Sequence, residues 1–596
     1  MCGFLCAVGE HLPDNLKFIE ALNVMESRGP DSLGLEQLQG IFLGHRRLAI
    51  QDLDERANQP FKSQCGRYSL VFNGEIYNFP QLREELERQG TVFTTSSDSE
   101  VLLELYCNAG ISCLHQLEGM FAFVVWDSLS QSGICARDPY GIKPLYFSTD
   151  SSGTLLLSSQ VKALLPLLHE PRIDPAALDA FRALGSVPEP LTYLQGVYSV
   201  EAGTALTFNI NGLGDCIQYH PIKESWASTK DSELPEVELL DIVKTGVYES
   251  ISKHLISDVP VGVFLSGGID SSVVAAVTRD LKPTDEVIGI TIVFDEFEGT
   301  SQDEYLGAKA VATRYGLKHY VRRVSSDEFL TDLPSIIESM DQPSIDGINT
   351  WFASKAAAEL DLKVVLSGVG GDELFYGYDN HKRVPNWLRI WRLVDSVPFG
   401  AFIVKGLLSR LVQPFGLNPK LADAPHLLSE VEQAWFLSRS AASAEDCFPE
   451  KDMASRYQAV KTMLSIIGVV SCAQSPQMAM AELDSRFYLR NQLLRDADWS
   501  SMAHSVELRT PLVDAALLQK LTPILPDLRR FPNKSLLTRV PRVPLPAEVV
   551  GKKKSGFGIP IEQWLSSDQK YVKKSSSRSA LSQYVETAFF GLVDHI

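Results

Sequence analysis

The chain has no apolar stretch of the roughly 18 to 20 residues needed to cross a bilayer, so no membrane partner is expected. Nor does it carry a basic surplus: 55 Lys and Arg stand against 74 Asp and Glu, a formal net charge of −19. Binding to a phosphate backbone rewards a basic face, so this balance argues against a nucleic-acid partner, a tRNA substrate included. Nine cysteines, at 2, 6, 65, 107, 113, 135, 216, 447 and 472, form no CxxC pair and no zinc spacing. An odd, dispersed set of thiols suits a reducing compartment, and the expected location is the cytoplasm. The start of the chain lacks the basic and long apolar segments of a signal peptide. No internal repeat is present.

What is there is length and pattern. With 596 residues, 45% of them hydrophobic, the chain can build more than one substantial core. To about residue 210, short apolar runs alternate with Asn-Gly and Asp-Gly-like punctuation, a β-rich pattern. The polar stretch KESWASTKDSELPEVE (223–238) reads as a linker, and ELLDIVKTGVYESISKHL beyond it has helical periodicity. Residues 385–475 read as mostly helical. Their most apolar piece, LRIWRLVDSVPFGAFIVKGLLSRLV, is broken by Pro398, which points to core or an interaction face. From SSSRS at 575 onward the pattern is weak and no function is assigned.

Two glycine loops carry the first chemical signal. SGGIDSS (266–272) follows the strand-like VGVFL and opens a helix, SSVVAAV; SGVGGDE (367–373) follows KVVL. Glycines let backbone N–H groups approach an anion closely, and a helix N-terminus adds partial positive charge, so phosphate is the natural guest. No lysine follows the first glycines, which excludes the GxxxxGK[ST] P-loop. In a doubly wound sheet both loops would sit at the carboxyl edge, with Asp270 and Asp372 facing each other across a bound triphosphate and holding Mg2+. Either aspartate taken singly also reads as a helix cap. The first loop resembles the PP-loop of ATP pyrophosphatases. That resemblance implies cleavage of ATP between the α and β phosphates, an adenylated intermediate and pyrophosphate release.

Cys2 is the second signal. With Met1 removed, a thiol and an α-amine share one residue, the amine titrating at roughly 7.7 to 8.0 and an unperturbed thiol near 8.5. The amine can then serve as the base that activates the thiol without a histidine. Four downstream motifs accompany it: RGPD (28–31), HRRLAIQD (45–52), NGEIYN (73–78) and SSDSE (96–100). Singly, each has a plain reading: Asn-Gly as a hairpin turn, Arg46 and Arg47 as surface charges, Asp98 as a turn or cap residue. In this order after Cys2 they resemble the class II glutamine amidotransferase domain, an N-terminal-nucleophile glutaminase. The resemblance implies attack of the Cys2 thiolate on the glutamine side-chain amide. It implies an oxyanion hole from the Asn73 side chain and the Gly74 N–H, and a glutamine pocket that also takes in Arg47, Leu48, Ile50, Glu75 and Asp98. Arg47 would bind the α-carboxylate, and Glu75 and Asp98 the α-amine. RDPYGIKPLYF (137–147) is similar to a family stretch read as structural support or domain interface.

In this order the two units resemble a glutamine-hydrolysing asparagine synthetase over nearly the whole chain. TIVF (291–294) with Asp303 and Glu304, SMAHSVELRTPLVD (501–514) and KKKSGFGIP (552–560) add to the match. The implied architecture is α/β in two domains. An αββα Ntn-type glutaminase spans residues 2–212 and a linker 213–238. A doubly wound parallel-sheet ATP pyrophosphatase domain, helical in its C-terminal half, spans 239–575, and a tail 576–596. Leu265, Ser266, Gly267, Gly268, Asp270, Ser271, Ser272, Ile292, Ser367 and Gly368 would bind ATP, with Mg2+ on Asp270 and Asp372. Lys554 matches the family lysine at the phosphates and reacting centre, although a KKK run also reads as a solvated basic patch. Glutamine, ATP and a carboxylate acceptor, aspartate foremost, are the implied partners, and a homodimer is left open. One departure concerns the acceptor. Typical family members read SGEGADE at the second loop, whereas this chain has Val369 in place of the glutamate and Gly371 in place of the alanine. A different carboxylate acceptor is therefore the second reading, and an intramolecular amide-forming cyclase or a binding protein without turnover the remaining ones.

Overall fold

The computed structural model describes residues 2–227, 232–397, 404, 419–552, 558–567 and 579–593. The N-terminal part is two six-stranded antiparallel sheets stacked face to face. In spatial order the first runs Val197–Ser199, Tyr146–Thr149, Leu155–Ser158, Gly3–Val8, Ile41–Arg47, Ser32–Leu38. The second runs Gly212–Gln218, Thr204–Asn209, Ser132–Arg137, Gly119–Asp127, Tyr68–Ile76, Phe61–Lys62.

Residue alternation explains the layering. Along Gly3–Val8, Phe4, Cys6 and Val8 pack between the sheets with Leu43, Val124 and Trp126. Leu5 and Ala7 on the other face join Phe18 and Leu22 of the helix Asn15–Asn23. In the second sheet Ala122, Val124 and Trp126 face inward, and Phe121, Phe123 and Val125 meet Val101, Leu102 and Leu105 of the helix Asp98–Ala109. Both faces of each sheet are thus apolar, and the αββα sandwich follows, each fully buried large side chain contributing about 1.5–3 kcal/mol. The last strand, Gly212–Gln218, pairs with Thr204–Asn209 through a turn at Ile210 and Asn211. It runs on through residues 213–218, which the sequence reading assigns to the linker, because Ile217 and Gln218 continue the ladder onto Ala205 and Thr204.

The C-terminal part holds a five-stranded parallel sheet in the order Lys318–Val324, Ile288–Phe294, Val261–Phe264, Val364–Leu366, Glu507–Arg509. The chain enters at the middle strand, builds outward on one side, then returns to build on the other. The reversal falls between Val261–Phe264 and Val364–Leu366, and ligands bind at such a switch point. Helices Asn380–Ser396, Val431–Arg439 and Met453–Ile466 form the helical half. The first two are tied to a π-helical stretch, Asp484–Leu494, by one buried carboxylate: Asp484 accepts from Trp435 Nε1 and Arg439 Nε, both 2.8 Å away, and its Oδ2 lies 2.8 Å from His381 Nε2. Burial alone would raise Asp484, but Arg439 and His381 hold it well below the carboxylate range. Among the described residues no helix is long and apolar enough to cross a membrane.

Candidate active sites

Cys2 stands at the head of a central strand, and the structure gathers round it the side chains that the sequence pattern singles out. Cys2, Arg47, Leu48, Ile50, Gly74, Glu75 and Asp98 line one pocket, with Gln59, Ser97 and Ser99 added. Asn73 joins through its Oδ1, which accepts from the Cys2 backbone N–H at 3.0 Å. Its Nδ2 is buried and has no hydrogen-bond partner among the described residues, a donor held ready for an oxygen. Asn73 and Gly74 lie inside the strand Tyr68–Ile76 and form no hairpin turn, because the ladder to Phe121 and Ala122 runs straight through them. At Gly74 (φ 152°) a Cβ would stand 2.0 Å from the Met120 carbonyl oxygen, so only glycine fits.

Arg47 is buried, not a surface charge. Its guanidinium donates to the Asp54 carbonyl at 3.0 Å, Asn58 Oδ1 at 2.8 Å, the Gln51 carbonyl at 3.2 Å and the Asp52 carbonyl. These acceptors are all neutral, so they fix the group without cancelling its charge. Asp98 follows the N-cap Ser97 and accepts from the Ile76 N–H at 3.0 Å. Burial pushes Asp98 up to about 6 and Glu75 well above its ordinary value. Burial also raises the Cys2 thiol, against a lowering hydrogen bond from the Leu48 backbone and the Arg47 charge.

The two glycine loops touch. A Cβ at Gly368 would lie 2.5 Å from the Ser271 N and 2.7 Å from the Asp270 carbonyl carbon, and one at Gly371 2.3 Å from Asp270 Oδ1. In the first loop, Ser266 Oγ and Ser271 Oγ are 3.0 Å apart, and Gly267 (φ 66°) packs on the backbone of Glu304 and Ala308. Ser272 is buried, its hydroxyl without a partner among the described residues. Leu265 N–H donates to the Ile290 carbonyl at 2.8 Å, and Ile292 is buried on that neighbouring strand. Ser367 N–H donates to the Arg509 carbonyl at 2.8 Å. Neither Asp270 nor Asp372 acts as an N-cap: Gly268 and Gly370 hold those positions.

Lys534 is the functional residue that the sequence reading misses here. Its ammonium donates to Asp270 Oδ2 at 2.5 Å and Asp372 Oδ1 at 2.6 Å. Burial opposes the Lys534 charge, but the two carboxylates outweigh it and raise the pKa. Asn533 and Lys534 take the left-handed conformation, φ 55° and 56°, which side chains beyond glycine rarely adopt; here it sets the ammonium between the acids. The charge the first loop lacks therefore comes from a segment, FPNKS, with no motif of its own. Lys554 lies outside the described residues; Lys552, first of its run, pairs with Glu304 at 3.5 Å. Glu373 is a further buried acid, pushed up to about 7 by burial and by Asp372, and it accepts from Tyr378 Oη at 2.8 Å.

Buried charge lies at the contact between the two domains. Arg28 of RGPD donates to the Cys2 carbonyl at 3.1 Å and, through both terminal nitrogens, to Asp498 at 2.6 and 3.2 Å. Lys143 is 3.8 Å from the same carboxylate, and Arg490 donates to the Tyr140 carbonyl at 2.9 Å, so the 137–147 stretch forms part of the contact between domains.

A stacked-sheet domain with a cysteine pocket, packed on a parallel sheet whose switch point carries two glycine loops, defines a glutamine-dependent amidotransferase. Comparison with known families agrees: residues 1–220 match the glutamine amidotransferase domain and residues 243–592 match asparagine synthase. The chain belongs to the asparagine synthase family. It is 32% identical to asparagine synthetase [glutamine-hydrolyzing] 1 of Bacillus subtilis, over 98% of this chain and 91% of that protein. It is 34% identical to a putative asparagine synthetase [glutamine-hydrolyzing] of Mycobacterium bovis, over 95% of this chain and 88% of that protein. A shorter match, 31% identical over 64% of this chain and 59% of the other, is to amidase chyE of Penicillium rubens.

Proposed function

We propose that glutamine hydrolysis at Cys2 supplies ammonia to a carboxyl group activated with ATP at the two glycine loops, giving an amide, AMP and pyrophosphate. The observation that carries this reading is the pairing of one pocket, built on Cys2, with a second site in which both glycine loops and both aspartates converge. At the first site the Cys2 thiolate attacks the glutamine amide carbon, and Asn73 Nδ2 with the Gly74 N–H receives the developing oxyanion. Arg47 takes the α-carboxylate, Glu75 and Asp98 the α-amine, and Leu48 and Ile50 wall the pocket. Loss of ammonia leaves a thioester for water to hydrolyse.

At the second site Leu265 and Ile292 border the nucleotide, and Ser266, Gly267, Gly268, Asp270, Ser271, Ser272, Ser367 and Gly368 surround its phosphates. The residues fit a magnesium ion carried by ATP: two carboxylates already converge on one cationic point, the Lys534 ammonium, and hard cations favour carboxylate and phosphate oxygens. Bound there, the ion would neutralise charge on the leaving pyrophosphate. Lys534 and Lys554 supply fixed positive charge to the same phosphates. Ammonia is mostly protonated in neutral water, so an enclosed route past Arg28, Lys143 and Asp498 keeps it nucleophilic. None of the nine cysteines is joined in a disulfide, in keeping with a reducing, cytoplasmic setting.

Aspartate is the leading acceptor, in keeping with the names of the long matches. A specific observation favours a second reading, amidation of another carboxylate within a tailoring pathway: Val369 packs against apolar core where typical members place a glutamate, and one relative is named an amidase. The test incubates the enzyme with glutamine, ATP, Mg2+ and a panel of acids, measuring nucleotide products and amides. AMP, pyrophosphate and asparagine are expected. ADP and phosphate would overturn the reaction class, and AMP with a different acid only would overturn aspartate.

A further inference from the structure

The stretch SMAHSVELRTPLVD contains one side chain that the mechanism above leaves unused. Arg509 is fully buried at the end of the edge strand Glu507–Arg509. Its Nη2 lies 3.2 Å from Glu75 Oε1, the glutamine-pocket carboxylate of the other domain. Nε donates to Glu507 Oε1 at 2.6 Å, and Nη1 to the His254 and Ile256 carbonyls at 2.8 and 2.6 Å. Hydrogen bonds thereby fix the Nε and Nη1 positions of the guanidinium, while Nη2, buried without a hydrogen-bond partner among the described residues, meets Glu75 as an ion pair. The other carboxylate oxygen of Glu75, Oε2, is buried with no hydrogen-bond partner among the described residues, an acceptor facing a pocket built for an ammonium.

The backbone of the same residue belongs to the nucleotide site. Arg509 sits opposite Leu366 in the parallel ladder, and its carbonyl accepts from the N–H of Ser367, the first residue of the second glycine loop. Three residues on, Leu512 packs under that loop, its carbonyl oxygen 3.0 Å from where a Cβ on Gly370 would stand. One residue therefore touches both substrate sites, the glutamine pocket through its side chain and the ATP loop through its main chain.

We propose that Arg509 is the positioning residue that couples the two sites: nucleotide at the Ser367 loop fixes the Leu366–Arg509 pairing, the pairing fixes the guanidinium, and the guanidinium holds Glu75 in place for the glutamine ammonium. The coupling is reciprocal by linkage, so glutamine tightens nucleotide binding by the same factor. This rests on the glutamine-binding role given to Glu75 above.

The test uses full-length Cys2→Ala protein, which binds glutamine without consuming it. Glutamine is titrated calorimetrically with and without Mg2+ and a non-hydrolysable ATP analogue, then again in Cys2→Ala/Arg509→Met. Nucleotide is expected to tighten glutamine about fivefold or more when Arg509 is present, and to leave glutamine affinity unchanged in the double variant, which lacks the guanidinium. A second readout needs no change at 509: glutamine should slow hydrogen exchange of the 366–371 amides in the Cys2→Ala protein. Equal glutamine affinity with and without nucleotide, or an unaltered exchange pattern, overturns the coupling while leaving the glutaminase reading intact. Failure of glutamine to bind at all overturns that reading, and the coupling with it.

Discussion

Asn73 and Asp98 are single side chains on which the proposed glutaminase chemistry turns. Asn73 Nδ2 is a buried donor without a partner among the described residues, which in the proposed oxyanion-hole role would be satisfied as charge develops on the substrate oxygen. Asn73→Ala is expected to lower the glutaminase kcat by about 10²–10³-fold with a smaller change in KM, measured as glutamate release. Asp98 gives a pH signature. Burial lifts its carboxyl to about 6, so in its proposed role it is ionised and able to pair with the glutamine ammonium above that pH and is neutral below it. Glutamine KM should climb as pH falls through about 6, and Asp98→Asn should flatten the profile at a high KM. The same shift has a cost in stability: as pH rises from the ordinary carboxylate range through about 6, the native state holds a proton the unfolded chain has released, so stability declines across that window.

Elements set the geometry that those residues need. The switch point between Val261–Phe264 and Val364–Leu366 brings both glycine loops together, and Gly368 is where the backbone of one loop meets the backbone of the other. A Cβ there meets backbone, which cannot swing aside as a side-chain tip can. Gly368→Ala should therefore reduce ATP-dependent amide formation at least tenfold, read as AMP release, while glutamate release at Cys2 in the absence of ATP persists. Much of this level was legible in the sequence. VGVFL and KVVL are short apolar runs ending in glycine, and a strand that stops at such a loop places the loop at the sheet edge. The Asn73-Gly74 pair was not legible in the same way, because a hairpin and a mid-strand glycine demanded by Met120 look alike in one dimension.

Across the whole molecule, the contacts between segments far apart in the chain were the least readable. Arg28 meets Asp498 across 470 positions, and Lys534 meets Asp270 across 264. Neither pair has a local pattern, since only the packing of distant segments brings them within reach. Arg28→Met would leave Asp498 buried without its bidentate partner. It should cost about 3–5 kcal/mol in denaturant-measured stability and raise the ratio of glutamate formed to amide formed. The central claim is that two separate sites share one ammonia. It is tested most directly by comparing the unsubstituted enzyme with Cys2→Ala, each given ATP, Mg2+ and acceptor with either glutamine or ammonium chloride, and quantifying the amide. The expected result is amide from both nitrogen sources in the unsubstituted enzyme and from ammonium alone in Cys2→Ala; equal loss of both activities in Cys2→Ala would contradict the account.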